Sequence, residues 1–175
     1  MKRFYIAERF SFDLDPETED NQIVYDDLSA LSKKYKYFPK SKGELKKLVD
    51  ELIEERGNEA DLNDIYTGDI TNMSGLFANR KHFNGDISDW DVSNVKNMSR
   101  MFYHCENFNQ DIRYWDVSNV EDMDDMFSNC ANFVQDLSKW DTRNVVNKNG
   151  NEIFWQCFRM SKANWPNGLI RHGFI

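Results

Sequence analysis

The chain has 175 residues, 14% of them aromatic, which is length and bulk enough for one folded domain with a core. Its formal net charge of -8 works against long-range attraction to nucleic-acid phosphates or an anionic membrane surface, and points to a protein partner, a basic one above all. Its apolar runs are only a few residues long, where a membrane span needs about 20, and Glu8 and Arg9 interrupt the N-terminus before it reaches the length of a signal peptide.

The location expected from these features is cytoplasmic, with surface exposure of a processed form as the alternative. Cys105, Cys130 and Cys157 are odd in number and contain no C-x-x-C pair, so they fit reduced thiols and signal neither a disulfide framework nor a zinc site.

In chain order, Phe4, Ile6, Phe10 and Phe12 alternate between Lys2 and Leu14 in the manner of a strand or hairpin arm. Residues 13–27 follow with seven acids and no base. The string Asp13-x-Asp15-x-Glu17 has the start of a calcium loop, but Thr18 stands where the turn glycine belongs and Val24 where the last carboxylate belongs, so a solvated acidic loop is expected. Ser41-Lys42-Gly43-Glu44 is a capping-box pattern. Leu45, Leu48, Val49, Leu52 and Ile53 follow at helical spacing until Gly57, which predicts a helix over about 42–56 that covers the first rung of what comes next.

From residue 61 the sequence repeats with a fixed period. Trp90, Trp115 and Trp140 are evenly spaced, and the same spacing separates Met73, Met98 and Met123; Phe83, Phe108 and Phe133; Ile87, Ile112 and Leu137; and the pairs Leu76-Phe77, Met101-Phe102 and Met126-Phe127. Asp61-Leu62 and Ile65 form a worn half-unit upstream. Downstream, Phe154, Cys157 and Met160 return two positions later than the period would place them after Phe127, Cys130 and Phe133, which locates a two-residue insertion around Lys148-Asn149-Gly150. Within a unit, Val95, Met98, Met101 and Phe102 keep one helical face behind the N-cap type Asn97, whereas Asp86–Val92 has extended character. The expected fold is an α/β repeat, a short leucine-rich-repeat-like solenoid with one strand and one short helix per unit. An N-terminal capping region occupies 1–60, the solenoid 61–160, and a C-terminal cap or tail 161–175.

The strings Phe108-Asn109-Gln110-Asp111-Ile112, Trp115-Asp116-Val117-Ser118-Asn119-Val120 and Met126-Phe127 resemble the BspA-like leucine-rich-repeat family, which includes a repeat domain of unknown function first catalogued in mycoplasma lipoproteins. The resemblance covers residues 61–147 and runs on to about 160. It implies a solenoid used in adhesion and other protein contacts, often on bacterial or parasite surfaces. This chain shows no signal peptide, lipobox cysteine or cell-wall anchor of the surface members, which shifts the expectation toward an intracellular binder.

No converging catalytic set emerges, so no enzyme activity, cofactor or metal site is expected. The columns Asp86, Asp111, Asp136 and Asp91, Asp116, Asp141 suit bonds to backbone N–H groups at turns better than a cation site, which needs converging oxygens. The cysteines share a repeat position that suits a small buried residue, and His104 beside Cys105 points elsewhere on a helix. Contacts belong where the repeat varies. Between the Ile and Trp ladders these positions are Ser88-Asp89, Arg113-Tyr114 and Ser138-Lys139, and on the helical side they are Arg100, Tyr103, His104, Asp124 and Asp125. Arg113 and Tyr114 lead, being interface-anchoring types. The expected function is a non-enzymatic protein-interaction module. An acidic inhibitor that fills the basic groove of a nucleic-acid enzyme is the first alternative, and a surface adhesin or carbohydrate-binding module the second.

Overall fold

A computed structural model describes residues 30–169. The arm at 2–14, the acidic stretch at 13–27 and residues 170–175 of the tail lie outside the described residues.

Residues 30–34 are helical, and Tyr37 pairs in parallel with Ile65. Helix α1, Lys42–Arg56, begins where its capping residues place it. The Ser41 hydroxyl accepts the Glu44 N–H at 3.2 Å, and the Glu44 carboxylate in turn accepts the Lys40 N–H at 2.9 Å, so two donors at the helix start are satisfied reciprocally. Gly57, at φ 88°, ends the helix and donates to the Ile53 carbonyl. The buried stripe of Leu45, Val49, Leu52 and Ile53 joins the same core as Leu62, Ile65, Met73 and Phe77. Arg56 fixes the return of the chain, binding both oxygens of Asp64 at 3.0 and 2.9 Å and the Asp61 carbonyl at 2.7 Å. Asp50 in α1 accepts from both Lys46 and Arg80, the latter in the first full unit.

Beyond α1, equivalent residues of successive units are bonded to each other. Parallel bridges join Asp61 to Asp86, Asn72 to Asn97 and Asn97 to Asp122. The N–H groups of Met73, Gly75, Phe77 and Asn79 donate to the carbonyls of Asn97, Ser99, Met101 and Tyr103, and the groups one unit on repeat the pattern toward Asp122, Asp124, Met126 and Ser128. Phe127 and Asn129 then donate to Ile153 and Trp155, two residues further than the earlier offset. The extra length falls at the short helix α2, Gly150–Ile153, where the sequence places its insertion.

Side chains follow the same register. Phe77, Phe102 and Phe127 stack with centroids 5.5 Å apart, and Phe154 continues the column at 5.4 Å. Phe83, Phe108 and Phe133 form a second column that faces the first at 4.2, 4.0 and 4.4 Å. The indole N–H groups of Trp90, Trp115 and Trp140 donate to the carbonyls of Leu62, Ile87 and Ile112. The thiols of Cys105, Cys130 and Cys157 donate to those of Phe77, Phe102 and Phe127. These three indole N–H groups and three thiols are thereby satisfied by the preceding unit, as their burial demands.

The local structure within a unit differs from one strand and one short helix. Among the described residues the units consist of turns and isolated bridges. The segment 86–92 pairs only at Asp86, because a turn closed by Trp90 N–H on the Ile87 carbonyl bends the chain, and Val95 N–H on the Val92 carbonyl bends it again. The segment 98–104 does not wind on as a helix because two residues per unit take positive φ: Gly75 and Asn79, then Arg100 and His104, then Asp125 and Asn129.

A fourth tryptophan, Trp165, belongs to the ladder but was not counted in it from sequence. It follows Trp140 at the interval that separates Trp140 from Trp115, and it stacks on Phe154 at 5.1 Å, just beyond the 3₁₀ turn η1, Lys162–Asn164. The stretch from Met160 to Trp165 is two residues shorter than that from Phe133 to Trp140, which cancels the insertion upstream.

Candidate interaction surface

The regular positions are occupied by internal bonding. Asp86, Asp91, Asp111, Asp116, Asp136 and Asp141 each accept the backbone N–H two residues on, at 2.9 to 3.2 Å, which fixes the corner of a turn. Asn72, Asn97, Asp122 and Asn147 do the same at the next corner, so Asn97 and its column bond backbone donors as an N-cap would, but in turns. Asn94, Asn119 and Asn144 reach back to the carbonyls of Gly68, Ser93 and Ser118. Burial pushes the Cys105 thiol up to about 12 and raises that of Cys130 as well, so neither is a thiolate at neutral pH.

These carboxylate corners carry a pH dependence. The Ser88 backbone N–H holds Asp86 below its ordinary 3.8, and the Arg113 guanidinium does the same to Asp111. A folded-state value below the unfolded one contributes stability that is complete above the unfolded value and is lost as pH falls through the folded one. Melting temperatures are therefore expected to hold steady near neutrality and to drop below about pH 4. Asp86→Asn, which keeps the acceptor oxygen but not the charge, should flatten part of that drop.

The varying positions lie outside this internal bonding to different degrees. Tyr114 is 81% exposed, and the Arg113 guanidinium lies over its ring at 5.6 Å. Arg113 is held in turn by Asp111, whose two oxygens accept from Nε at 2.8 and 2.9 Å, leaving a cation and an aromatic ring presented together. Asp89 and Lys139 occupy the position equivalent to Tyr114 in the flanking units and are both exposed; Asp89 also lies 3.7 Å from Lys34.

The second set forms its own cluster. Arg100 Nε donates to Asp125 at 3.3 Å and its guanidinium sits 5.8 Å from the Tyr103 ring. Asp124 accepts from Asn147 at 2.9 Å, and its carbonyl accepts the Arg100 N–H. His104, against Tyr103 at 4.3 Å, meets the Asn129 side chain at 3.2 Å. Among the described residues no hydrogen bond, ion pair or ring contact joins this cluster to Arg113 and Tyr114.

Arg100 has φ 54° where the preceding unit has Gly75 at φ 61°. Arg100→Gly is expected to raise stability by up to about 1 kcal/mol, since the left-handed backbone disfavours any side chain and the exposed ion pair lost is worth little. A shift of the urea midpoint at unchanged slope is the readout.

Sequence reasoning passed over three exposed apolar side chains, Val146 at 86%, Trp155 at 47% and Phe158 at 82%. Val146 stands where the previous unit has Glu121, and Phe158, once the insertion is allowed for, where it has Ala131 and the one before Glu106. Extending the column count through the insertion would have revealed them. Among the described residues no group of three or more His, Cys, Asp or Glu is placed to hold a metal ion, and no helix is long and apolar enough to cross a membrane.

No curated protein and no solved structure matches the chain. A family model described as a Mycoplasma protein of unknown function, DUF285, matches residues 44–165, from the first turn of α1 to the last tryptophan of the ladder. The match spans more than half of the chain, and the chain belongs to this family.

Proposed function

We propose that the repeats form a leucine-rich-repeat-like solenoid of the BspA-like kind and that the protein works in the cytoplasm without catalysis, as a module that binds a protein partner. The constant register of bridges and stacked rings supports the solenoid reading. One observation carries the functional reading. The side chains that recur are buried or bonded within the array, whereas Tyr114, at a position free to vary, is 81% exposed beneath a guanidinium. Tyr and Arg are among the residue types most enriched at the energetic centres of protein interfaces. Asp89 and Lys139 flank it with opposite charges and set which way a partner lies.

Capture of partners from lysate of the source cell on immobilised protein tests this. Tyr114→Ala together with Arg113→Ala should weaken capture at least about tenfold, the loss of one hot-spot pair, with only a small loss of stability because the Arg113–Asp111 pair is exposed. Undiminished capture would remove these residues from the contact.

A second reading, an acidic inhibitor of a nucleic-acid enzyme, draws on residues 111–135, where six carboxylates stand against the single cation Arg113. A complex of that kind would dissociate as salt rises toward about 1 M, because exposed charges are then screened within about 3 Å.

A further inference from the structure

Asp89, Tyr114 and Lys139 occupy one column, each directly before a tryptophan of the ladder. Each is the third residue of the same turn, which the following Trp N–H closes on the Ile or Leu carbonyl at 3.1, 3.1 and 3.0 Å. The tryptophans are themselves held in register, with each indole N–H on a carbonyl of the preceding unit and the rings of Trp115 and Trp140 stacked at 6.4 Å. The three side chains therefore leave the array side by side and in the same direction, on backbones about 5 Å apart. All three are exposed.

Along the array this row reads anion, aromatic ring, cation, with the ring at the centre and one charge a single unit away on either side. The ion pair of Asp89 with Lys34, at 3.7 Å, leaves the Asp89 side chain 62% exposed and is of the kind worth little. A complementary surface must read cation, ring, anion in the same direction. The same row turned end for end does so.

We propose that the partner of this surface is a second copy of the chain, related by a two-fold axis that crosses the array at Tyr114. The proposal rests on the reading of Tyr114 as an interface anchor and names what it anchors. About that axis Asp89 meets the second copy's Lys139, Lys139 meets the second copy's Asp89, and the two Tyr114 rings meet at the centre, which is the self-complementary arrangement of a closed dimer. An axis running along the array would instead set Asp89 on Asp89 and Lys139 on Lys139, so the charges select one of the two face-to-face pairings. The two Arg113 side chains come near each other beside the axis, each already matched by both oxygens of its own Asp111. At about 0.15 M salt the repulsion between two chains of net charge -8 is screened beyond about 8 Å, whereas the paired charges lie closer than that. One row is small for an interface, so the dimer is weak and exchanging.

Sedimentation equilibrium of the full chain at about 0.15 M salt tests this. The parent's average mass should rise with concentration and stop at that of a dimer, since a two-fold contact closes on itself. Asp89→Lys and Lys139→Asp should each weaken self-association at least about tenfold by setting like charges opposite one another. Mixed in equal amounts, the two variants should associate with each other as the parent does with itself, and a chain carrying both substitutions should recover the parent's affinity. Single variants that self-associate undiminished, a mixture that stays monomeric, growth beyond the dimer, or a parent that is monomeric up to about 1 mM overturns the proposal. A monomeric parent whose lysate capture is still lost in Tyr114→Ala with Arg113→Ala would leave the interface reading standing, with a different protein as the partner. Self-association and capture both undiminished in that variant would overturn the two together.

Discussion

Replacing Phe102 with alanine is expected to cost about 3–5 kcal/mol, the upper range for a buried aromatic. Phe102 is fully buried and stacks on Phe77, Phe108, Phe127 and Trp115, at 5.5, 4.0, 5.5 and 6.3 Å. Removing it leaves a cavity bounded by rings from the units on either side, and neither can collapse into the space without breaking the register that its own backbone bonds maintain. Phe154→Ala, in the last turn, should cost less. Its ring has Phe127 on one side and Trp165 on another but no further unit beyond among the described residues, and it is 5% exposed. Chemical denaturation of both variants checks the order, and equal losses would mean that the central column is not carrying stability from unit to unit.

Leu52→Ala should cost about 2–5 kcal/mol, although it lies outside the repeats. Leu52 is fully buried in α1 and shares a core with Leu62 and Ile65 of the worn first unit. A terminal repeat with a bare apolar face is unstable, so removing this side chain loosens α1 and the first unit together. The variant should lower the single unfolding transition, with tryptophan fluorescence and helical circular dichroism still moving together. Glu54→Ala, exposed on the same helix, should stay within about 0.5 kcal/mol of the parent. If Leu52→Ala separated the two signals into two transitions, α1 would be an independent unit.

Much of this architecture was legible because stacking places identical demands on equivalent residues. A Phe on a Phe or a Trp indole on the preceding carbonyl can recur only if the chain returns to the same place once in every unit. Helix α1 was legible from Ser41, Glu44 and its apolar stripe, since capping and amphipathicity are local. The form of the turns was not. Arg100 carries no compositional mark of the left-handed backbone it adopts, and although Gly75, Asn79, Asp125 and Asn129 are types that favour it, nothing local says which of the many Asn and Asp residues do so. Trp165 was legible from spacing alone, since it follows Trp140 at the regular interval; only the columns between them, Phe154, Cys157 and Met160, are displaced by the insertion before the deletion restores the register. The exposure of Tyr114 could be anticipated from its variability, whereas Val146 and Phe158 required the column count to be carried through the insertion. The bond from Arg113 to Asp111 could not be anticipated, because it depends on the corner that the Asp itself creates.

The fold rests on one register, in which each unit stacks its equivalent residues on those of the unit before. The most direct measurement is the set of nuclear Overhauser effects among the ring protons of Phe77, Phe102 and Phe127 in a sample with selectively labelled phenylalanine. The stacked register predicts cross-peaks from Phe102 to both Phe77 and Phe127, each at a centroid spacing of 5.5 Å, and none between Phe77 and Phe127, which lie two spacings apart. A direct cross-peak between Phe77 and Phe127, or none from Phe102 to either, would contradict it.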